Sequence, residues 1–339
     1  MRIEQYYSLT HHNSFHLPSI TRWFVEYKSE ETLSRILQDG FFRSNRLLSI
    51  GEGSNLLFIN DFDGIILHSC IKGITVTDET SDSVLLRVGA GVHWDDVVAF
   101  SVSKGWGGIE NLSYIPGETG AAAVQNIGAY GVEIKDVIEK VEAINQLTGK
   151  KHEFSNETCH YGYRHSYFKE ANHDPYIITS ISLRLQKKPQ FKLDYENLIA
   201  LLNGRTVTLQ AVRDAVIKIR LSKLPDPAIL GNAGSFFMNP VISQEQFNNL
   251  KNRFPAIPSY PAAEGSIKIS AGWLIEQCGF KGKREGNVGV YEKQALIIVN
   301  HGGATGEEIA AFAEKISRTV HDSFGIRLVP EVKFVICCS

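Results

Sequence analysis

Three glycine-rich stretches in the first half of the chain constrain its fold more than any other feature. They are Ile50–Gly51–Glu52–Gly53–Ser54–Asn55, Val88–Gly89–Ala90–Gly91–Val92 and Ile115–Pro116–Gly117–Glu118–Thr119–Gly120–Ala121–Ala122–Ala123. They punctuate short β-type runs at Arg46–Ile50, Gly64–His68 and Val84–Val88, and two more such runs follow at Val141–Leu147 and Tyr176–Leu185. One convincing helix interrupts them, from Trp94 to Lys104, with Val97, Val98 and Phe100 on an apolar side and Gly105 placed to end it. Gly51-x-Gly53 and Gly89-x-Gly91 each lack the third glycine of a dinucleotide fingerprint, and neither sits in a strand–helix–strand unit, so a Rossmann fold is a poor fit.

Taken singly, each loop reads as a tight turn in a β-rich domain. Three together point to a ligand, because small residues let backbone N–H groups approach an anion and cradle a diphosphate without a lysine. Charge makes this relevant: 35 Lys and Arg stand against 37 Asp and Glu, so no basic surface announces nucleic acid and any anionic ligand is met locally. The run Gln125–Asn126–Ile127–Gly128–Ala129–Tyr130–Gly131 adds amides, glycines and a tyrosine suited to the polar edge of a flat heterocycle.

The second half changes character. Amphipathic segments at Tyr195–Leu202, Leu209–Leu221 and Ser270–Cys278 precede a strand-like Ala295–Asn300. Thr305 and Glu308 have capping-box spacing, ahead of apolar Ile309, Phe312 and Ile316 and a closing Gly325; a terminal strand over Arg327–Ile336 follows. Lys187–Lys188–Pro189 and Leu224–Pro225–Asp226–Pro227 bracket a junction between two parts.

The N-terminal residues lack the apolar core of a signal peptide and no later run has the length of a membrane span, so a cytoplasmic, non-membrane protein is expected. Cys70, Cys159, Cys278, Cys337 and Cys338 are odd in number and without CxxC spacing, and the histidines show no ligand spacing; neither a disulfide framework nor a metal site is expected.

Arg164 lies among aromatics in Tyr161–Gly162–Tyr163–Arg164–His165–Ser166–Tyr167–Phe168, a setting for a carboxylate or an enolate, although such an arginine is commonly a structural ion-pair partner. Ser235 sits in Gly231–Asn232–Ala233–Gly234–Ser235–Phe236–Phe237–Met238–Asn239–Pro240, which as a bare Gly-Ser pair is a turn before an edge strand. Glu331 interrupts the apolar run Leu328–Phe334 and needs a partner if buried.

In that order, GEGSN, PGxxGAAxxQNIGAYG, YRxSxF, GNAGSFF and a closing PEV resemble the UDP-N-acetylenolpyruvoylglucosamine reductases, a branch of the vanillyl-alcohol-oxidase-like flavoproteins, over about Thr10 to Phe334. The YGYRHSYF segment and the Tyr195 loop resemble the type I subgroup. The resemblance implies an α+β protein: a split FAD-binding domain at 1–190, divided near residue 70, a substrate domain at 191–326, and a terminal strand at 327–339 returning to the active site.

It also implies FAD as cofactor and NADPH as hydride donor, and UDP-N-acetylglucosamine enolpyruvate as the partner reduced, by a monomer. Gly51, Gly53, Ser54, Asn55, Gly117, Gly120, Ala121, Gln125, Asn126, Gly128, Ala129 and Tyr130 are then cofactor contacts. Arg164 and Glu331 stabilise an enolate, Ser235 donates a proton, and Tyr163, Tyr195, Lys223, Asn239 and Gln294 touch substrate. Met238 departs from the pattern, since many members carry lysine there. An oxidase built on the same FAD domain would lack the serine and the glutamate, and a non-catalytic nucleotide binder has no need of Arg164, Ser235 and Glu331 together.

Overall fold

The computed structural model describes residues 1–170, 175–204, 206–262 and 265–336. Their contacts divide into two compact units. The first comprises Met1–Tyr7, Thr21–Glu52 and Asp63–Ser222; the second comprises Ser8–Ile20, Gly53–Phe62 and Lys223–Ser339.

Two sheets organise the first unit. One orders its strands Arg2–Ser8, Ile20–Tyr27, Phe62–Ser69, Leu47–Ile50, the last two running parallel with Leu47 beside Ile65. Phe62–Ser69 is buried almost throughout, the pattern of an interior strand covered on both faces. Helix Glu30–Gln38 covers it with Leu33, Ile36 and Leu37, and Ser29 accepts from the Thr32 N–H as its cap. Neither this helix nor strands Arg2–Ser8 and Ile20–Tyr27 are among the sequence expectations. The helix signal is present nonetheless, as Ser29 followed by apolar positions at i, i+3 and i+4.

The other sheet is antiparallel and five-stranded, in the order Lys151–Ser155, Ile138–Asn145, Tyr176–Gln186, Ser83–Gly89, Ile74–Glu79. The strand expected at Val141–Leu147 starts earlier and stops at Asn145, whose side chain accepts from the N–H groups of Leu147 and Thr148 and turns the chain. The expected helix forms over Trp94–Ser103 and packs on this sheet, and Trp94 is fully buried with its indole N–H on the Leu112 carbonyl at 2.9 Å.

Helices Glu196–Leu202 and Leu209–Lys223 also pack with the first unit. Leu198, Leu202, Val212, Val216 and Ile219 form their shared core, and Arg213 forks onto Asp95 at 2.7 and 2.8 Å. By contacts the division between the two units falls at 222/223, after both helices.

The second unit surrounds a core that includes Phe15, Leu57, Phe236, Phe237, Leu274, Ile309, Ile316 and Val320. Helix Gly306–Phe324 carries the expected capping box of Thr305 and Glu308 and ends on Gly325 at φ +70°. Helix Gln244–Arg253, outside the sequence expectations, has the same device in Ser243 and Gln246. The terminal strand is shorter than Arg327–Ile336: only Lys333–Val335 forms one, parallel to Leu56–Phe58, while Phe237 meets Pro330 in a single bridge. Proline has no N–H with which to continue a ladder. Cys70, Cys159 and Cys278 are free thiols, and Cys337 and Cys338 lie outside the described residues. Among the described residues no helix is long and apolar enough to cross a membrane.

Candidate active site and cofactor loops

In the first unit, the second and third glycine loops are stapled together. Thr119 donates its N–H and its hydroxyl to the Val92 carbonyl at 2.9 and 2.8 Å, Gly120 donates to Ala90 at 2.8 Å, and Trp94 donates to Gly117 at 2.9 Å. Gly120 has to be glycine, since an added Cβ would come 2.9 Å from the Ala90 Cβ. Gly117 has φ +108° and leads into helix Thr119–Gln125. A Cβ on Gly51 would lie 3.2 Å from a Glu118 carboxylate oxygen, so the first loop approaches the third closely. Ala121 is exposed beside them.

The segment after that helix forms a two-residue hairpin: Gly128 pairs with Glu133 and Ala129 with Val132, around Tyr130 at φ +49° and Gly131 at φ +81°. Positive φ at both turn positions is the requirement of a type I′ turn. Asn111, absent from the sequence expectations because it reads as an ordinary loop polar, holds this turn by donating to the Tyr130 and Lys192 carbonyls at 2.8 Å each. Tyr195 packs on the turn, its ring edge-on to Tyr130 at 5.6 Å.

Arg164 is tied to the same hairpin. Its guanidinium donates to the Gly128 carbonyl at 2.7 Å and to the Asn126 carbonyl at 3.4 Å, and it lies 5.3 Å from the Tyr163 ring centroid. Its backbone has φ +53°, a left-handed conformation that a non-glycine residue keeps only when its surroundings enforce it. They do: Asn126 donates to the Gly162 carbonyl at 2.7 Å and Ser166 donates its hydroxyl to Val124 at 2.6 Å. Asn126 is fully buried and also bonds Glu133 and the Lys135 N–H, so its side chain organises the loop from inside.

In the second unit, Gly53 has φ +77°, and any Cβ there would collide with the His12 carbonyl. Ser14 donates to the carbonyls of Gly53 and Ser54 at 3.3 Å each, fixing that loop. Asn55 donates its amide to the Glu331 carbonyl at 3.1 Å and accepts from the Lys333 N–H at 3.0 Å. Glu331 in turn donates its N–H to the Phe236 carbonyl at 2.8 Å, which sets Glu331 one residue along from Ser235; both are half-buried. Gly234 at φ +68° precedes Ser235, and Phe236 donates to Leu296 at 2.7 Å. Asn239 accepts from Ala271 at 3.0 Å, Gln294 faces the Leu296 N–H at 3.4 Å, and Lys223 is exposed. Asn55, Ser235, Glu331, Asn239 and Gln294 thus share one unit, and Arg164, Tyr163, Tyr195 and the Gly117–Tyr130 residues share the other.

A protein from Porphyromonas gingivalis bearing the name UDP-N-acetylenolpyruvoylglucosamine reductase is 53% identical over 338 residues, covering 99% of this chain and all of its own, and one of that name from Bacteroides fragilis is 47% identical over 334 residues, with 98% and 100% covered. The chain belongs to the UDP-N-acetylenolpyruvoylglucosamine reductase family. The model of that family's C-terminal domain matches residues 226–335, and an FAD-binding domain matches 21–155. The crystal structure of UDP-N-acetylenolpyruvylglucosamine reductase from Thermus caldophilus shares the fold at a TM-score of 0.69, with 22% identity over 98% of this chain and 99% of that one. The 6-hydroxy-D-nicotine oxidase of Arthrobacter nicotinovorans shares the fold at a TM-score of 0.53, with 11% identity over 96% of this chain and 86% of its own.

As a member of this reductase family the chain is a flavin-dependent oxidoreductase with FAD as cofactor. Its residues fit that group. The Gln125 amide nitrogen is buried without a partner among the described residues, a donor left for a heterocycle edge. Gly51, Gly117 and Gly120 lie in the loops that the FAD-binding domain match spans, and the close approaches at Gly51 and Gly120 leave no room for side chains there.

Proposed function

We propose that this chain reduces UDP-N-acetylglucosamine enolpyruvate to UDP-N-acetylmuramate for peptidoglycan, taking its electrons from NADPH and working as a monomer in the cytoplasm. The observation that carries the residue-level reading is Arg164: a strained cation, locked by two main-chain carbonyls and braced by buried Asn126 and Ser166, is a group held for a ligand. Bound FAD, once reduced by NADPH, would supply a hydride. The substrate accepts it at the terminal alkene carbon, and negative charge then develops on the carboxylate as an enolate.

Arg164 meets that charge with planar donors already fixed in place, which favours the enolate over the ground-state substrate. Glu331, with its backbone tied to Phe236 and Asn55, is assigned to stabilise the same enolate. Ser235 delivers the proton to the carbon bearing the carboxylate; a hydroxyl is a weak acid, and the basic enolate drives the transfer. Gln125, Gly117, Gly120 and Ala121, with Gly51, Gly53 and Ser54, hold the cofactor largely through backbone. Gly128, Ala129 and Tyr130 would contact it as well, while Asn126 and Asn55 act by shaping the loops. Tyr163, Tyr195, Lys223, Asn239 and Gln294 bind the nucleotide substrate.

Anaerobic stopped-flow tests the reading. NADPH should bleach the flavin, and UDP-N-acetylglucosamine enolpyruvate should restore its colour without oxygen; recovery only with oxygen means an oxidase instead. Ser235→Ala should keep the first phase and slow the second by about 1,000-fold. Equal loss of both phases removes Ser235 from its role.

A further inference from the structure

We propose that His68 is a positioning residue for flavin binding: its imidazolium, lodged between Glu26 and Glu118, neutralises a buried carboxylate at the edge of the phosphate-binding loops, so that the hold on FAD depends on the proton His68 carries. The inference rests on reading those glycine loops as the FAD site.

The geometry starts from Glu118. It precedes helix Thr119–Gln125 and bridges to His93 by backbone, and its carboxylate lies against Gly51, so it stands where the three loops converge. Its side chain is 5% exposed. A buried carboxylate needs a partner, and beside a diphosphate its charge has the wrong sign. His68, on the interior strand Phe62–Ser69, supplies that partner: Nε2 lies 3.3 Å from Glu118 and Nδ1 lies 3.4 Å from Glu26, with the ring 11% exposed.

The other cations are less effective. Lys72 reaches Glu118 at 3.6 Å and Arg2 reaches Glu26 at 3.2 Å, but these side chains are 59% and 50% exposed and water screens them. Of the remaining groups facing His68, burial pushes the Tyr27 hydroxyl and the Cys70 thiol up, which keeps both neutral. Glu52, pushed up by burial, is paired with His93, and Lys28 acts on Cys70.

Burial pushes His68 down, but Glu118 and Glu26 outweigh it and raise its pKa above 6.5. A raised pKa means that the stabilising proton is present in acid and is lost as pH climbs through the raised value. Glu118 then loses the charge of its buried partner beside the loops, and FAD binding weakens.

The test is titration of flavin-free protein with FAD, followed by flavin fluorescence from about pH 6 to about pH 9. Wild-type affinity should fall across that range. His68→Gln should bind FAD about tenfold more weakly at the acid end and show little pH dependence, one pKa unit being tenfold. Glu118→Gln should bind tightly at every pH, and the double variant should recover that tight binding, which a packing role for His68 would not allow. Affinity unchanged in His68→Gln, or a double variant as weak as the single, overturns the inference while leaving the FAD reading in place. If His68→Gln fails to fold, Glu118→Gln decides alone: affinity that still falls with pH overturns the inference. Protein that takes up no FAD at any pH overturns both.

Discussion

The loop that carries Arg164 and the segments that carry Ser235 and Glu331 are held in place by different means. Arg164 depends on side chains: its own fork grips two carbonyls, and the Asn126 amide and Ser166 hydroxyl, both buried, lace the neighbouring backbones together. Ser235 and Glu331 depend mostly on main chain, through Phe236 to Leu296, Glu331 to Phe236 and Met238 to Val329, with the Asn55 amide on the Glu331 carbonyl and the fully buried Phe236 ring beneath. A site held by side chains is broken by conservative substitutions. One held by backbone and packing tolerates changes at its half-exposed positions.

Arg164→Lys tests the contrast most severely. It keeps the charge but loses the planar fork that grips Gly128 and Asn126, so the expected loss in the substrate half-reaction is about 100-fold, about 2.7 kcal/mol. Flavin reduction by NADPH should continue. Single-turnover rates with a lysine matching wild type would mean that charge alone matters at this position.

Side-chain dependence extends to the sheet of the first unit, where Glu142 is buried among Arg87 at 2.5 Å, Lys151 at 2.8 Å and the Ser180 hydroxyl. Burial pushes its pKa up, but hydrogen bonds from Lys151, Ser180 and Arg87 outweigh burial and bring it down from 4.5 to about 2. A depressed carboxylate pKa stabilises the fold above the unfolded value and loses that effect as pH falls through the folded one. The acid limb of stability should therefore lie between pH 4.5 and about 2. Glu142→Gln should remove about 2 kcal/mol at neutral pH, less than the full shift implies because Arg87 and Lys151 are partly exposed. Chemical denaturation at pH 7 and pH 3 checks it, and an equal deficit at both would contradict the charge argument.

The same distinction governs what the sequence reveals. The glycine loops were legible because positive φ and close approach leave few residue choices, as at Gly53, Gly117 and Gly120. Helices Trp94–Ser103 and Gly306–Phe324 were legible from periodicity and termini. Arg164, Ser235 and Glu331 were singled out by motif resemblance, since the sequence around each also reads as a turn or an ion pair. Asn111 and His68 were not legible. Their roles arise from contacts with residues far along the chain, Tyr130 and Lys192 for one and Glu26 and Glu118 for the other, which no local pattern encodes. The packing of helices Glu196–Leu202 and Leu209–Lys223 was not legible for a related reason: an amphipathic helix shows that it has an apolar face, not which core receives it.

Asn126 separates backbone conformation from side-chain lacing at one position. Its φ of +46° favours Asn or Gly, and its amide bonds Gly162. Asn126→Ala should lose both and cost about 1.5 kcal/mol, whereas Asn126→Gly restores the conformation and should recover about half. Melting temperatures of the two variants give the comparison. If they fall equally, the amide is the whole contribution and strain at this position is negligible.

Met238→Lys is the smallest expected effect and probes the other side of the contrast. The Met238 N–H donates to Val329 whatever the side chain, and the side chain is only half-buried, so a lysine has water to reach and stability should change by no more than about 0.5 kcal/mol. The family resemblance implies lysine at this position, and a cation there would favour phosphate-bearing ligands. The variant should therefore melt with wild type while its KM for the nucleotide substrate falls severalfold and kcat holds. A large loss of stability would mean that the Ser235 segment relies on side-chain packing at position 238, and the contrast with the Arg164 loop would then be one of degree.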